Sequence, residues 1–162
     1  MKNICAIMLL IALLNVETLS QTDNSNDFVS KLAEMEYSQL KSTYADCLTK
    51  PCYGDSLFFK TWFDGLENEM KRDFTKASEY YKKAILIPRF ELSTYEVGYS
   101  LGRVEILLGN ITEGTKILNK YIKDANKDLN DESAMWGLSE GLVKETKLKI
   151  KYANELIMRY KR

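Results

Sequence analysis

Three pairs of small residues constrain this chain more than any other feature: Gly65 with Ala77, Gly102 with Gly114, and Gly141 with Ala153. Each pair is spaced by twelve, and successive pairs are offset by 37 and 39 residues. Small side chains let two helices approach closely, and bulky residues beside them fill the gap to the next element. Four places after each second small residue stand Tyr81, Leu118 and Ile157, and seven places after it Ala84, Tyr121 and Tyr160. Five places before it a polar or turn-forming residue is expected; Arg72 and Gly109 suit that place and Leu148 does not.

The remaining pattern is helical throughout. Prolines occur only at Pro51 and Pro88, and no alternating stretch is bounded by turn residues as a strand requires. The spacing predicts an opening helix over about 26–48, followed by three helix pairs. The first pair covers about 55–70 and 74–87, the second about 94–108 and 111–124, and the third about 131–145 and 148–161. Ser93-Thr94-Tyr95-Glu96 has the form of a capping box, and Asn110 is expected to cap the helix that follows Gly109. The polar stretch 123–132 reads as a surface loop.

The first twenty residues are expected to be a signal peptide. A short, weakly positive start precedes an eleven-residue apolar run from Ile4 to Leu14, and small residues follow at Thr18 and Ser20. The run is shorter than the roughly 20 residues of a spanning helix. Removal of residues 1–20 leaves a tail and helix over 21–53 and a repeat domain over 54–162, with no membrane span. Cys47 and Cys52 then form the one remaining cysteine pair, and a disulfide between them is expected in an exported protein. The compartment expected is the periplasm or the cell exterior.

Composition removes several functions. There is no histidine, so imidazole-based triads and histidine metal sites are excluded, and no metal or cofactor is expected. Lysine and arginine total 23, as do aspartate and glutamate, so no overall field attracts nucleic acid. Two G-x-S-x-G matches, Gly98 to Gly102 and Gly137 to Gly141, fall inside helical stretches at equivalent repeat positions and read as packing residues. The alternating oxygen side chains from Asp124 to Glu132 resemble a calcium loop, but Leu129 and Met135 stand where glycine and the bidentate glutamate belong. Glu67, Glu69, Asp73 and Glu79 are interleaved with basic residues and read as an exposed face. No catalytic residue is assigned. Asn110-Ile111-Thr112 is also a glycosylation sequon.

The stretches Tyr99-Ser100-Leu101-Gly102 with Gly109, and Phe74 through Tyr81 to Ala84 followed by Pro88, resemble the tetratricopeptide repeat family. The units are longer than the family's usual 34 residues, and Trp62 sits one place off its preferred tryptophan. The resemblance implies an all-α superhelix of about three helix pairs, preceded by one helix. It implies a non-enzymatic module that binds a protein or peptide partner in a groove lined by Phe59, Trp62 and Leu66, then Tyr99 and Arg103, then Leu138 and Leu142. Trp62 and Leu66 replace a lysine and an asparagine used by family members that clamp a terminal carboxylate, so an apolar or aromatic segment is the expected ligand. A second expected surface is the end of the array at Tyr152, Leu156 and Tyr160, which would bind a partner or a second copy. The rival reading is a small exported enzyme or glycan-binding protein using carboxylates and aromatics.

Overall fold

The computed structural model describes residues 30–41, 56–88, 95–131 and 140–160, and these are all-α, with no strand among them. Six helices follow in order: α1 over 30–41, α2 Ser56–Met70, α3 Phe74–Leu86, α4 Tyr95–Leu107, α5 Ile111–Asn130 and α6 Glu140–Tyr160. Successive helices from α2 to α6 pack on one another, and α4 also touches α2 and α6. No helix among the described residues is long and apolar enough to cross a membrane. The expected signal segment, Cys47, Cys52 and the Ser93-Thr94 start of the expected capping box lie outside the described residues.

Helices α2 and α3 form one hairpin, and α4 and α5 a second. Each turns through a residue with positive φ, Arg72 at 61° and Gly109 at 83°. The hydrogen bonds around the two are the same. Arg72 N–H donates to Glu69 and Asp73 N–H to Asn68, just as Gly109 N–H donates to Ile106 and Asn110 N–H to Glu105. These paired bonds satisfy carbonyls left over at a helix C-terminus. Asp73 then caps α3 by accepting from Lys76 N–H at 3.2 Å.

The small residues bring the hairpin arms together. A Cβ built on Gly114 would lie 2.7 Å from the Gly102 carbonyl oxygen, so α4 and α5 meet backbone to backbone. A Cβ on Gly65 would fall onto the Tyr81 ring. The inward stripes are those the spacing predicts: Ala77, Tyr81 and Ala84 on α3, and Gly114, Leu118 and Tyr121 on α5, all buried.

The third pair differs. Helix α6 runs unbroken through residues 146 and 147, where a turn was expected, and Gly141 on it is exposed. Leu148 offers no left-handed stop, so nothing interrupts the helix once it has started. Helix α5 likewise continues to Asn130, past its expected end near 124. Lys120 pairs with Asp124 at 2.8 Å, and the side chains of Asn126 and Asn130 bond back one turn to Ile122 and Asn126. The would-be calcium loop is therefore helical through residue 130.

Two hydrophobic clusters fill the interior. The first joins Phe58, Phe59, Trp62 and Leu66 of α2 to Tyr81 of α3 and Leu101 of α4. The second joins Tyr99 and Ile106 of α4 to Leu118 and Tyr121 of α5 and Leu156 of α6. Helix α1 belongs to both, with Ala33 and Leu40 in the first and Leu32 in the second. The run Phe58, Phe59, Trp62 and Phe63 is buried throughout because α2 is covered on several sides. Tyr37 of α1 stands edge-on to Phe63 at 5.4 Å, and Trp62 Nε1 reaches Ser100 of α4.

Candidate functional site

The residues expected to line a groove between the first helices are buried instead. Phe59, Trp62, Leu66, Tyr99 and Arg103 are each at most 3% exposed. They form no open surface, and this corrects the expectation of an accessible lining. Helix α1 is the reason. Its residues Leu32, Ala33, Glu36 and Leu40 are buried at helical spacing, while Lys31, Glu34, Met35 and Ser38 face outward. An apolar stripe of this kind must be covered, and α2, α4 and α6 cover it.

A carboxylate lies at the centre of that stripe. Glu36, 2% exposed, accepts from Ser100 Oγ at 3.0 Å and from Arg103 Nη2 at 2.9 Å. Lys149 of α6 lies 3.9 Å from its other side. Arg103 is itself fully buried and bonds Glu69 of α2 through Nε at 2.6 Å and Nη2 at 2.8 Å. Tyr81 donates its hydroxyl to the same Glu69 at 2.6 Å. The Arg103 guanidinium lies 4.9 Å from the centre of the Tyr99 ring, a cation–π distance. Trp62 Nε1 donates to Ser100 Oγ at 3.2 Å and completes a chain of polar contacts from α2 through α4 to α1.

These contacts set the protonation. Burial pushes the Glu36 carboxyl above its ordinary value, although Arg103 and Lys149 pull it down. Burial by itself lowers the Arg103 pKa, yet Glu69 and Glu36 outweigh it and hold the guanidinium firmly charged. Lys149 is buried too and is kept charged by Glu96, Glu36 and Glu145. It bonds Glu96 at 3.1 Å and Glu145 at 2.9 Å. Buried ions are tolerable only when paired in this way.

Several expectations are corrected at this centre. Glu69 does not belong to an exposed charged face but is fully buried. Its neighbours Glu67 and Asp73 do make surface pairs, with Lys71 and Lys76. Ser100 of the first G-x-S-x-G match serves α1 as a donor. Asn110 occupies the cap position of α5 without capping it, and its amide donates to Glu105 Oε2 at 2.7 Å. Glu105 also accepts from Ser78 at 2.6 Å and pairs with Lys82 at 2.7 Å.

The expected surface at the end of the array is likewise packed. Leu156 is fully buried, and Tyr152 and Tyr160 lie half-buried against the second cluster. The opening helix reaches this region, through Leu32 and the Glu36–Lys149 contact. Leu142 is partly exposed, and Leu138 lies outside the described residues. Among the described residues no cluster of three or more candidate ligands could hold a metal ion.

The sequence reading missed Glu36, Glu69 and Lys149. The signal was present in each: a charged residue standing on an apolar helical stripe. Glu36 follows Leu32 and precedes Leu40 by one turn, Glu69 continues Phe59, Trp62 and Leu66, and Lys149 lies one turn before Ala153. No match was found when the chain was compared with family models, with curated proteins and with solved structures.

Proposed function

We propose that this chain is an exported, non-enzymatic interaction module, built on tetratricopeptide-like hairpins, that binds a helical segment of a protein partner. The observation carrying this reading is the seating of α1 across α2, α4 and α6. Anchors at Leu32, Glu36 and Leu40, each one turn from the next, are the pattern by which an amphipathic helix occupies a groove. Two close-packed hairpins supply a rigid wall, so recognition falls to a few side chains aimed into the groove.

The reading is tested in the cells that produce the protein. A photo-crosslinking residue at Met35 or Leu142, both partly exposed, should capture a protein partner. The purified partner should then bind the purified chain saturably in a titration. A captured set that shows no saturable binding rejects the reading.

A further inference from the structure

Helix α1 carries the chemistry of what its groove accepts. We propose that α1 is an internal competitor, and that the groove's partner is an amphipathic helix of another protein with apolar side chains one turn either side of a carboxylate. This rests on the interaction-module reading above.

The position held by Glu36 offers hydrogen-bond donors to a carboxyl group. Ser100 Oγ and Arg103 Nη2 both donate into it, and Lys149 stands 3.9 Å away. A helix with an apolar residue at that point would leave a hydroxyl and a guanidinium N–H with lost acceptors, which disfavours it strongly. The apolar ends of the groove accept Leu32 on one side and Leu40 on the other.

The groove also keeps its charges paired when α1 leaves. Arg103 retains Glu69 through two bonds, and Lys149 retains Glu96 and Glu145. Exchanging one helix for another therefore strands no buried cation. The contacts that a partner helix must replace include the Glu36 carboxyl, the buried stripe of Leu32, Ala33 and Leu40, and Tyr37 with its ring against Phe63 and its hydroxyl donating to Glu67 at 3.3 Å.

One donor favours a foreign helix over a second copy of α1. Arg103 Nη1 is buried and has no hydrogen-bond partner among the described residues. An identical α1 from another copy would leave the same N–H unmet. A different helix with an added acceptor gains over both, because a buried donor left unpaired is costly.

The test uses the full chain and a fluorescein-labelled peptide reproducing residues 30–41, with a control peptide carrying Glu36→Gln. Binding is followed by anisotropy against the unaltered chain and against the Glu36→Arg chain, in which a cation faces Arg103 and Lys149 and the chain's own helix is expelled. A tethered helix competes at an effective concentration on the order of millimolar, so its removal raises apparent affinity. The Glu36 peptide should bind the Glu36→Arg chain at least about tenfold more tightly than it binds the unaltered chain, and the Gln peptide should bind the Glu36→Arg chain about fivefold more weakly than the Glu36 peptide does. Saturating peptide should also speed amide exchange of residues 30–41 in the intact unaltered chain.

Equal binding to both chains, or binding to neither, with exchange unchanged, overturns the proposal. Dimerisation of the unaltered chain that Glu36→Arg abolishes also overturns it, since the occupant is then a second copy. If Glu36→Arg lacks the helical circular dichroism of the unaltered chain, the exchange experiment alone decides. A partner captured as above that binds both chains alike keeps the interaction-module reading and removes this groove as its seat.

Discussion

Arg72 and Gly109 hold the same left-handed conformation at the same point of two successive hairpins, 37 positions apart, with φ of 61° and 83°. Only one of them is a glycine. A side chain in this region is strained by roughly 1–2 kcal/mol, and the Arg72 side chain is exposed. Arg72→Gly should therefore raise stability by about 1 kcal/mol, and Gly109→Ala should lower it by a similar amount. Urea denaturation of the two variants beside the parent measures both. A loss of stability in Arg72→Gly contradicts the assignment.

The glycines of the second hairpin should rank by what a Cβ would meet. On Gly114 it would lie 2.7 Å from a backbone oxygen and 2.8 Å from the Ile106 backbone nitrogen, neither of which yields easily. On Gly102 the nearest atoms belong to the Leu118 side chain at 2.7 Å, with the Gly114 oxygen at 3.1 Å. On Gly98 the nearest is Ile117 at 3.9 Å. Gly114→Ala should cost most, on the order of 1–3 kcal/mol as overpacking, with Gly102→Ala between. Gly98→Ala should gain up to about 1 kcal/mol from helix propensity. Thermal unfolding of the three, with a silent change at exposed Lys127 as control, tests the order.

Removing Arg103 should be far worse than altering Glu36. Arg103→Met leaves Glu69 and Glu36 buried without their shared cation, an arrangement that costs roughly 3–5 kcal/mol. Glu36→Gln keeps an acceptor for Ser100 and Arg103 and should cost about 1 kcal/mol. The fluorescence of buried Trp62, bonded to Ser100, reports the loss of this centre in both variants. Equal stability of the two would mean that Arg103 carries no structural weight.

Two carboxylates should titrate with opposite sign. Burial lifts Glu36 above its ordinary value, so the folded protein takes up this proton more readily than the unfolded chain. Its contribution to stability grows as pH falls through the raised value and is complete below the unfolded value. For Glu105 burial also pushes upward, but hydrogen bonds from Lys82, Ser78 and Asn110 prevail and hold it low. Its contribution is present above the unfolded value and disappears as pH falls through the lowered one. As pH falls toward the ordinary carboxylate range the parent should gain stability relative to Glu36→Gln. Below about pH 5 it should lose stability relative to Glu105→Gln. Melting temperatures of the three proteins across this range would show whether the signs differ.

What the sequence revealed was local. The hairpins α2–α3 and α4–α5 were legible because Gly65, Gly102 and Gly114 mark close approach and Phe74 to Ala84 and Ile111 to Tyr121 keep a helical period. Even the equivalence of Arg72 with Gly109 followed from position alone. The third pair failed because Gly141 and Ala153 match the spacing without a stop between them; a small residue permits close packing but does not demand it. Of the residues expected to line a groove, Phe59, Trp62, Leu66, Tyr99 and Arg103 are buried, and that burial depends on α1. Glu36 meets Arg103 across 67 positions and Lys149 across 113, from 36 to 103 and 149, and no local pattern records such a contact.

That separation also fixes an order of events during synthesis. The stripe of α1 emerges from the ribosome early, but its counterparts on α4 and α6 do not exist until most of the chain has been made. Each hairpin can close as soon as its own second arm is complete, since its contacts are short-range. Glu36 must wait first for Arg103 and then for Lys149, and Leu32 for the α6 side of the second cluster. Docking of α1 is thus the long-range, slow-forming part of the topology. A nascent chain stalled before α6 would carry an accessible acidic amphipathic helix beside a groove still lacking one wall.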